Sequence, residues 1–155
     1  MEFLAPGDLL LYSNPTYGGT SHFIQHVLTK YGIHILPFSS TDSKADIENR
    51  LEESGLKDKL ALMYVETPAN PTNALIDIEM CSEICKSLST DDKKVYLATD
   101  NTYMGPLWQH PLEQGADIIL YSATKFIGGH SDLIAGAVLG SFETMARVKG
   151  MRTFL

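Results

Sequence analysis

Basic residues are scarce in this sequence: 12 lysines and arginines stand against 19 aspartates and glutamates, for a formal net charge of -7. Without a basic stripe there is no counterion-release contribution to hold a phosphate backbone, so neither nucleic acid nor an anionic membrane is expected as a partner. Long hydrophobic runs are also lacking, and every apolar stretch falls well short of the roughly 20 residues needed to span a bilayer. The start, Met1-Glu2-Phe3-Leu4-Ala5-Pro6, has no basic region leading into an apolar one, so no secretory signal is visible. Cysteine is limited to Cys81 and Cys85, one turn apart on a predicted helix. There they share a face without the geometry to bridge, and two thiolates alone do not make a metal site. They read as reduced, core-facing thiols, and a cytoplasmic location is expected. His22 and His26 also lie one turn apart; such a pair can ligate zinc, but no third ligand stands out, so no metal is expected.

What is present suits one soluble domain: 155 residues, 44% hydrophobic and 20% charged. Gly7 to Tyr12 reads as a strand. A helix follows to about Tyr31, with Thr20 or Ser21 as N-cap and Phe23, Ile24, Val27 and Leu28 as its apolar stripe. Ile33 to Phe38 is the next strand, and a helix through Ile47 and Leu51 runs to Gly55. Leu60 to Val65 is continuously apolar, as in a strand buried on both faces. Asp77 to Leu88 reads as a helix with Ile78, Cys81, Ile84, Cys85 and Leu88 inward. A strand Val95 to Thr99, a short helix near Pro111 to Gln114 and a strand Ala116 to Leu120 complete the alternation, with a further apolar run from Leu133 to Gly140. Strands alternating with helices over short connections predict a three-layer α/β fold with a mostly parallel sheet.

The stretch Tyr121-Ser122-Ala123-Thr124-Lys125-Phe126-Ile127-Gly128-Gly129 sets a single lysine just past a strand end, among small hydroxyl residues and glycines. In open α/β sheets ligands collect at the carboxyl ends of strands. A lysine in a dry pocket becomes a nucleophile for carbonyls, and nearby hydroxyls suit a phosphate. Tyr17, Glu66 with Asn70, and Asp100 occupy comparable positions in the chain. Taken singly, each has an ordinary alternative. Lys125 could be a surface lysine, Asp100 a helix cap or turn residue, Asn70 a turn former between prolines, and Tyr17 a half-buried packing residue. Taken together they match the needs of a pyridoxal phosphate site: a lysine, an acid for the pyridine nitrogen, a planar ring for its face and donors for its phosphate.

The motifs Tyr17-Gly18-Gly19-Thr20, Glu66-Thr67-Pro68-Ala69-Asn70-Pro71-Thr72, Asp100-Asn101-Thr102-Tyr103, and Ser122-Ala123-Thr124-Lys125 with Gly129-His130-Ser131-Asp132 appear in this order. In them the whole chain resembles the Cys/Met-metabolism family of pyridoxal phosphate-dependent enzymes, which includes cystathionine γ-synthases, cystathionine γ-lyases and methionine γ-lyases. The resemblance implies an aminotransferase-like (fold type I) large domain with pyridoxal 5'-phosphate as cofactor. It implies that Lys125 forms the internal aldimine and shuttles protons, and that Asp100 pairs with the pyridine nitrogen. Tyr17 is then expected to stack on the ring and take part in proton transfer, and Asn70 to meet the ring hydroxyl. Ser122 and Thr124 are expected to hold the phosphate, and Glu66 to support the site from nearby.

Family members are longer, so residues 1–155 are expected to be the central part of the large domain, without the family's N-terminal segment and its C-terminal small domain. The implied activity is γ-elimination or γ-replacement on a small sulfur amino acid (cystathionine, methionine or an activated homoserine). The implied assembly of the parent is a tetramer built as a dimer of dimers. The alternative is a truncated, inactive remnant, or an interaction module that pairs with a full-length homologue.

Overall fold

In the computed structural model, which describes residues 2–152, the apolar runs form a six-stranded sheet. The strands are β1 (Leu9–Ser13), β2 (His34–Phe38), β3 (Leu60–Glu66), β4 (Tyr96–Asp100), β5 (Ile118–Tyr121) and β6 (Ala137–Gly140). Their spatial order is β2-β1-β3-β4-β5-β6, with β1 to β5 parallel and β6 antiparallel to β5. The helices are α1 (Gly18–His26), α2 (Lys44–Ser54), α3 (Ile78–Leu88), α4 (Gly105–Trp108) and α5 (Phe142–Arg152).

Side chains alternate across a strand, so each buried strand feeds two cores. Leu9, Leu11, Met63, Val65 and Leu97 pack on one face against Ile47 and Leu51 of α2 and Ile78, Cys81 and Ile84 of α3. Leu10 and Tyr12 point the other way, against Ile24 of α1 and Leu28. These two cores make the three layers, and burying each such side chain contributes about 1.5–3 kcal/mol. Local signals set the helix ends. The Ser43 side chain accepts from the Asp46 N–H while Asp46 accepts from Ser43, a reciprocal capping box that starts α2. Gly55, at φ 65°, ends that helix in the left-handed region where a Cβ is costly. Asp77 Oδ1 accepts from the Met80 N–H and caps α3. Among the described residues no helix is long and apolar enough to cross a membrane.

The structure departs from the sequence reading in five places. α1 begins at Gly18 with Tyr17 at its N-cap position, so Thr20 and Ser21 lie inside the helix rather than capping it. α1 also stops at His26; Leu28–Tyr31 continue as a tighter 3-10 turn, ended by Gly32 at φ 74°. Phe23 is 46% exposed, because only the Ile24–Leu28 line of the stripe meets the sheet. The short helix falls at Gly105–Trp108, with Pro106 at its first turn, whereas residues 111–115 form consecutive turns. From the run Leu133 to Gly140 only Ala137–Gly140 is a strand, because the preceding backbone turns to bond Thr124.

Candidate active site

Parallel strands point their carboxyl ends the same way, and polar residues follow four of them here. Glu66 ends β3 and is in register with Asp100, which ends β4; Asp100 is in turn beside Leu120 of β5. Tyr17 follows β1 at the head of α1, and Ser122 to Lys125 follow β5. All seven residues singled out from the sequence (Tyr17, Glu66, Asn70, Asp100, Ser122, Thr124 and Lys125) line one cavity of about 880 Å³. Pro68, Thr102, Tyr103 and Phe126 complete much of its wall.

Asp100 is held at both oxygens. Its Oδ1 accepts the Thr102 N–H at 3.0 Å, and its Oδ2 accepts the Tyr64 hydroxyl at 3.2 Å. Thr102 Oγ1 then accepts the Ser122 N–H at 2.7 Å, which fixes the β5 loop to the β4 loop. Burial pushes the Tyr64 phenol well above its ordinary range, and the Asp100 and Glu66 carboxylates add to this, so it stays a hydrogen-bond donor. Glu66 is a buried carboxylate. Burial raises its pKa, the N–H groups of Tyr17 and Asn70 oppose that rise, and the Asp100 charge adds to it.

The lysine loop is a set of tight turns. Lys125 N–H donates to Ser122 O at 3.0 Å, and Gly128 N–H donates to Ala123 O at 2.8 Å. A Cβ at position 128 would lie 2.9 Å from Ala123 O, so glycine is required there. Lys125 is exposed to the cavity, and its Nζ makes no hydrogen bond or ion pair among the described residues. The Ser122 hydroxyl likewise has no hydrogen-bond partner among them. Thr124 differs. Its hydroxyl donates to Ala135 O at 3.1 Å and accepts the Ala135 N–H at 2.9 Å, so its one donor is engaged by backbone. Asn70 and the half-exposed Tyr17 ring face solvent as well as the cavity.

Three residues of the site escaped the sequence reading: Tyr64, Thr102 and Asn101. Asn101 is fully buried; its Nδ2 lies 2.9–3.1 Å from Tyr121 Oη, Gln109 O and Gly105 O, and its Oδ1 accepts from Gln109 Nε2. Its signal was its place in the motif Asp100-Asn101-Thr102-Tyr103, directly after the strand that carries Asp100. Among the described residues no group of three or more His, Cys, Asp or Glu side chains is placed to hold a metal; the His22 and His26 rings lie 4.7 Å apart.

A three-layer sheet with an amine, two carboxylates and hydroxyls gathered at its carboxyl edge is the arrangement of an α/β enzyme domain. Residues 1–153 match the family described as Cys/Met metabolism PLP-dependent enzymes, and the chain belongs to that family. It is 37% identical to cystathionine γ-lyase of Homo sapiens over 144 residues, 93% of this chain and 33% of that protein. Against L-methionine γ-lyase of Treponema denticola it is 38% identical over 143 residues, 92% of this chain and 33% of that one. The crystal structure of metB from Corynebacterium glutamicum superposes with a TM-score of 0.83 at 33% identity, covering 97% of this chain and 36% of that one. The chain therefore spans about a third of the length of the relatives it matches.

The family is pyridoxal phosphate-dependent, and the donor set here fits that group. An unengaged amine, a free serine hydroxyl and a carboxylate anchored by one donor per oxygen share one cavity large enough for a substituted pyridine.

Proposed function

We propose that this chain is the central part of the cofactor-binding large domain of an enzyme acting on sulfur amino acids, by γ-elimination or γ-replacement at carbon–sulfur centres. The observation that carries the reading is an unpartnered Lys125 Nζ in the same cavity as the anchored Asp100 carboxylate. Lys125 would hold pyridoxal phosphate by its aldehyde, and its amine would carry protons between substrate carbons. Asp100 would meet the pyridine nitrogen and favour its protonated form. Tyr17 would cover one face of the ring, and Asn70 would meet the ring hydroxyl. Ser122 donates to the phosphate; Thr124 joins it only by releasing Ala135 O. When bound, the cofactor supplies an electron sink for the carbon that bears the substrate amine. The substrate is a small sulfur amino acid, the compartment cytoplasmic, and the whole enzyme a tetramer formed as a dimer of dimers.

A second reading is favoured by exposed apolar side chains: Leu107 is 80% exposed, Trp108 77%, Ile134 96% and Phe142 93%. Surface of this kind suits burial against further polypeptide, and in this reading the chain pairs with a full-length homologue without turning over substrate itself.

Borohydride reduction of the chain in pyridoxal phosphate tests the first reading. The cofactor should become fixed to the Lys125 peptide, as read by mass spectrometry, and Lys125→Ala should abolish the labelling. A folded chain that is not labelled, or is labelled elsewhere, would refute it. Co-purification with a homologue but no labelling would favour the second.

A further inference from the structure

α1 has no acidic residue in its first turn and no side-chain cap, although helix N-termini favour negative charge. The charge arrives from another strand. Glu66 Oε2 accepts the Tyr17 N–H at 2.7 Å, at the head of α1. Its other oxygen, Oε1, accepts the Asn70 N–H at 2.8 Å, in the proline-bounded turn after β3. The Glu66 N–H in turn donates to Ser13 Oγ at 3.0 Å, which ties the same residue to the end of β1. One buried carboxylate thus joins two segments whose side chains, Tyr17 and Asn70, line the same cavity.

We propose that Glu66 is a positioning residue: by accepting both backbone N–H groups it fixes Tyr17 and Asn70 relative to each other, and so sets how tightly the cavity holds its cofactor. The assignment rests on the proposed function only in its last clause, because the clasp is a property of the chain without ligand. A glutamate is needed for geometric reasons. Aspartate is one methylene too short to reach both segments. Glutamine keeps one acceptor oxygen and turns an NH₂ toward a backbone N–H, so it can satisfy only one side. The arrangement also retains a buried charge near Asp100 of β4 and Tyr64 of β3, the ionisable groups facing it, with Lys125 lining the same cavity. Such a charge is kept against its own desolvation, which argues for a positional task.

The test is amide hydrogen exchange by NMR on the full chain, with and without pyridoxal phosphate. Glu66→Gln should raise exchange at Tyr17 or Asn70 by about tenfold or more, as expected for losing a bond to a charged acceptor, and leave core amides such as Leu97 protected. It should also weaken cofactor uptake by about tenfold. Unchanged exchange at both amides overturns the clasp. Faster exchange with unchanged uptake overturns the positioning role. A wild-type chain that shows the clasp but takes up no cofactor refutes the proposed function and leaves the clasp standing. If Glu66→Gln does not fold, the wild type still decides: the Tyr17 and Asn70 amide shifts should titrate together, with one midpoint above the ordinary glutamate range. Separate midpoints, or no common titration, overturn the proposal.

Discussion

Replacing Asn101 by alanine should be among the most damaging single changes in this chain that touch no ligand. The amide sits in a fully buried position, its Nδ2 facing three acceptors and its Oδ1 facing one donor. Two N–H protons serve at most two acceptors at full strength, so the residue makes about three effective bonds. At about 0.5–1.5 kcal/mol net each these contribute roughly 3 kcal/mol. Removal also strands buried and partly buried partners: Tyr121 Oη and the carbonyls of Gly105 and Gln109 lose a donor, and Gln109 Nε2 retains only Thr67 O. Stranding even one of these groups costs a further ~1 kcal/mol or more. The expected loss is about 4 kcal/mol, a large share of the ~5–15 kcal/mol typical of a domain. Urea unfolding monitored by circular dichroism measures it. Gln109→Ala should cost less, about 1–2 kcal/mol, and the double variant should show a coupling of about 1 kcal/mol because the two amides bond each other. A loss below about 1 kcal/mol for Asn101→Ala would mean that water or repacking satisfies the network, and that Asn101 is not its hub.

Two further outcomes are expected. Cys81 and Cys85 should resist iodoacetamide at pH 8 in the native chain and react only on unfolding. Burial, with Asp77 nearby, pushes the Cys81 thiol to about 12, and burial pushes Cys85 up as well, aided by Cys81 and Asp117; modification at the rate of an unfolded thiol would contradict the packed α3. Glu66 should give stability a definite pH slope. Its folded pKa lies above the unfolded one, so its contribution is complete below the unfolded value and is lost as pH rises through the folded value. The stability of wild type relative to Glu66→Gln should therefore fall over that window in paired denaturant melts, and a rise would reverse the assigned cause.

Much of the layering was legible because the strands carry it in composition: Leu60 to Val65 is apolar throughout, and only a strand covered on both sides needs that. Gly55 marked the end of α2 and Asp77 the start of α3, because those caps act through local backbone. Local signals failed where the partner was distant. Thr20 and Ser21 looked like caps for α1, but the head of that helix bonds Glu66, 49 positions away, so the chain had no local reason to place a cap there. Phe23 fits a helical stripe, yet periodicity cannot say how wide a face the sheet will cover. The seven candidate residues were found as motifs at strand ends, and the cavity gathers them. Tyr64 carried no such mark, and Asn101 lay inside a motif without a role of its own, since both roles depend on which neighbours the sheet order brings beside them. The engagement of Thr124 by Ala135 was equally invisible, being a loop-to-loop bond.

The cavity draws its walls from the ends of β1, β3, β4 and β5, and no two adjacent strands suffice to build it. A partly folded chain, with β1 docked on β3 but β5 still loose, would present Tyr17 and Glu66 without Lys125. Such a chain would have nothing to grip a ligand with. Ligand affinity is therefore coupled to the sheet as a cooperative whole rather than to any one loop. A molecule held in that cavity at a hundred times its dissociation constant would add about 2.7 kcal/mol to global unfolding. That gain would appear as slower exchange at core amides on both faces of the sheet, far from the ligand itself.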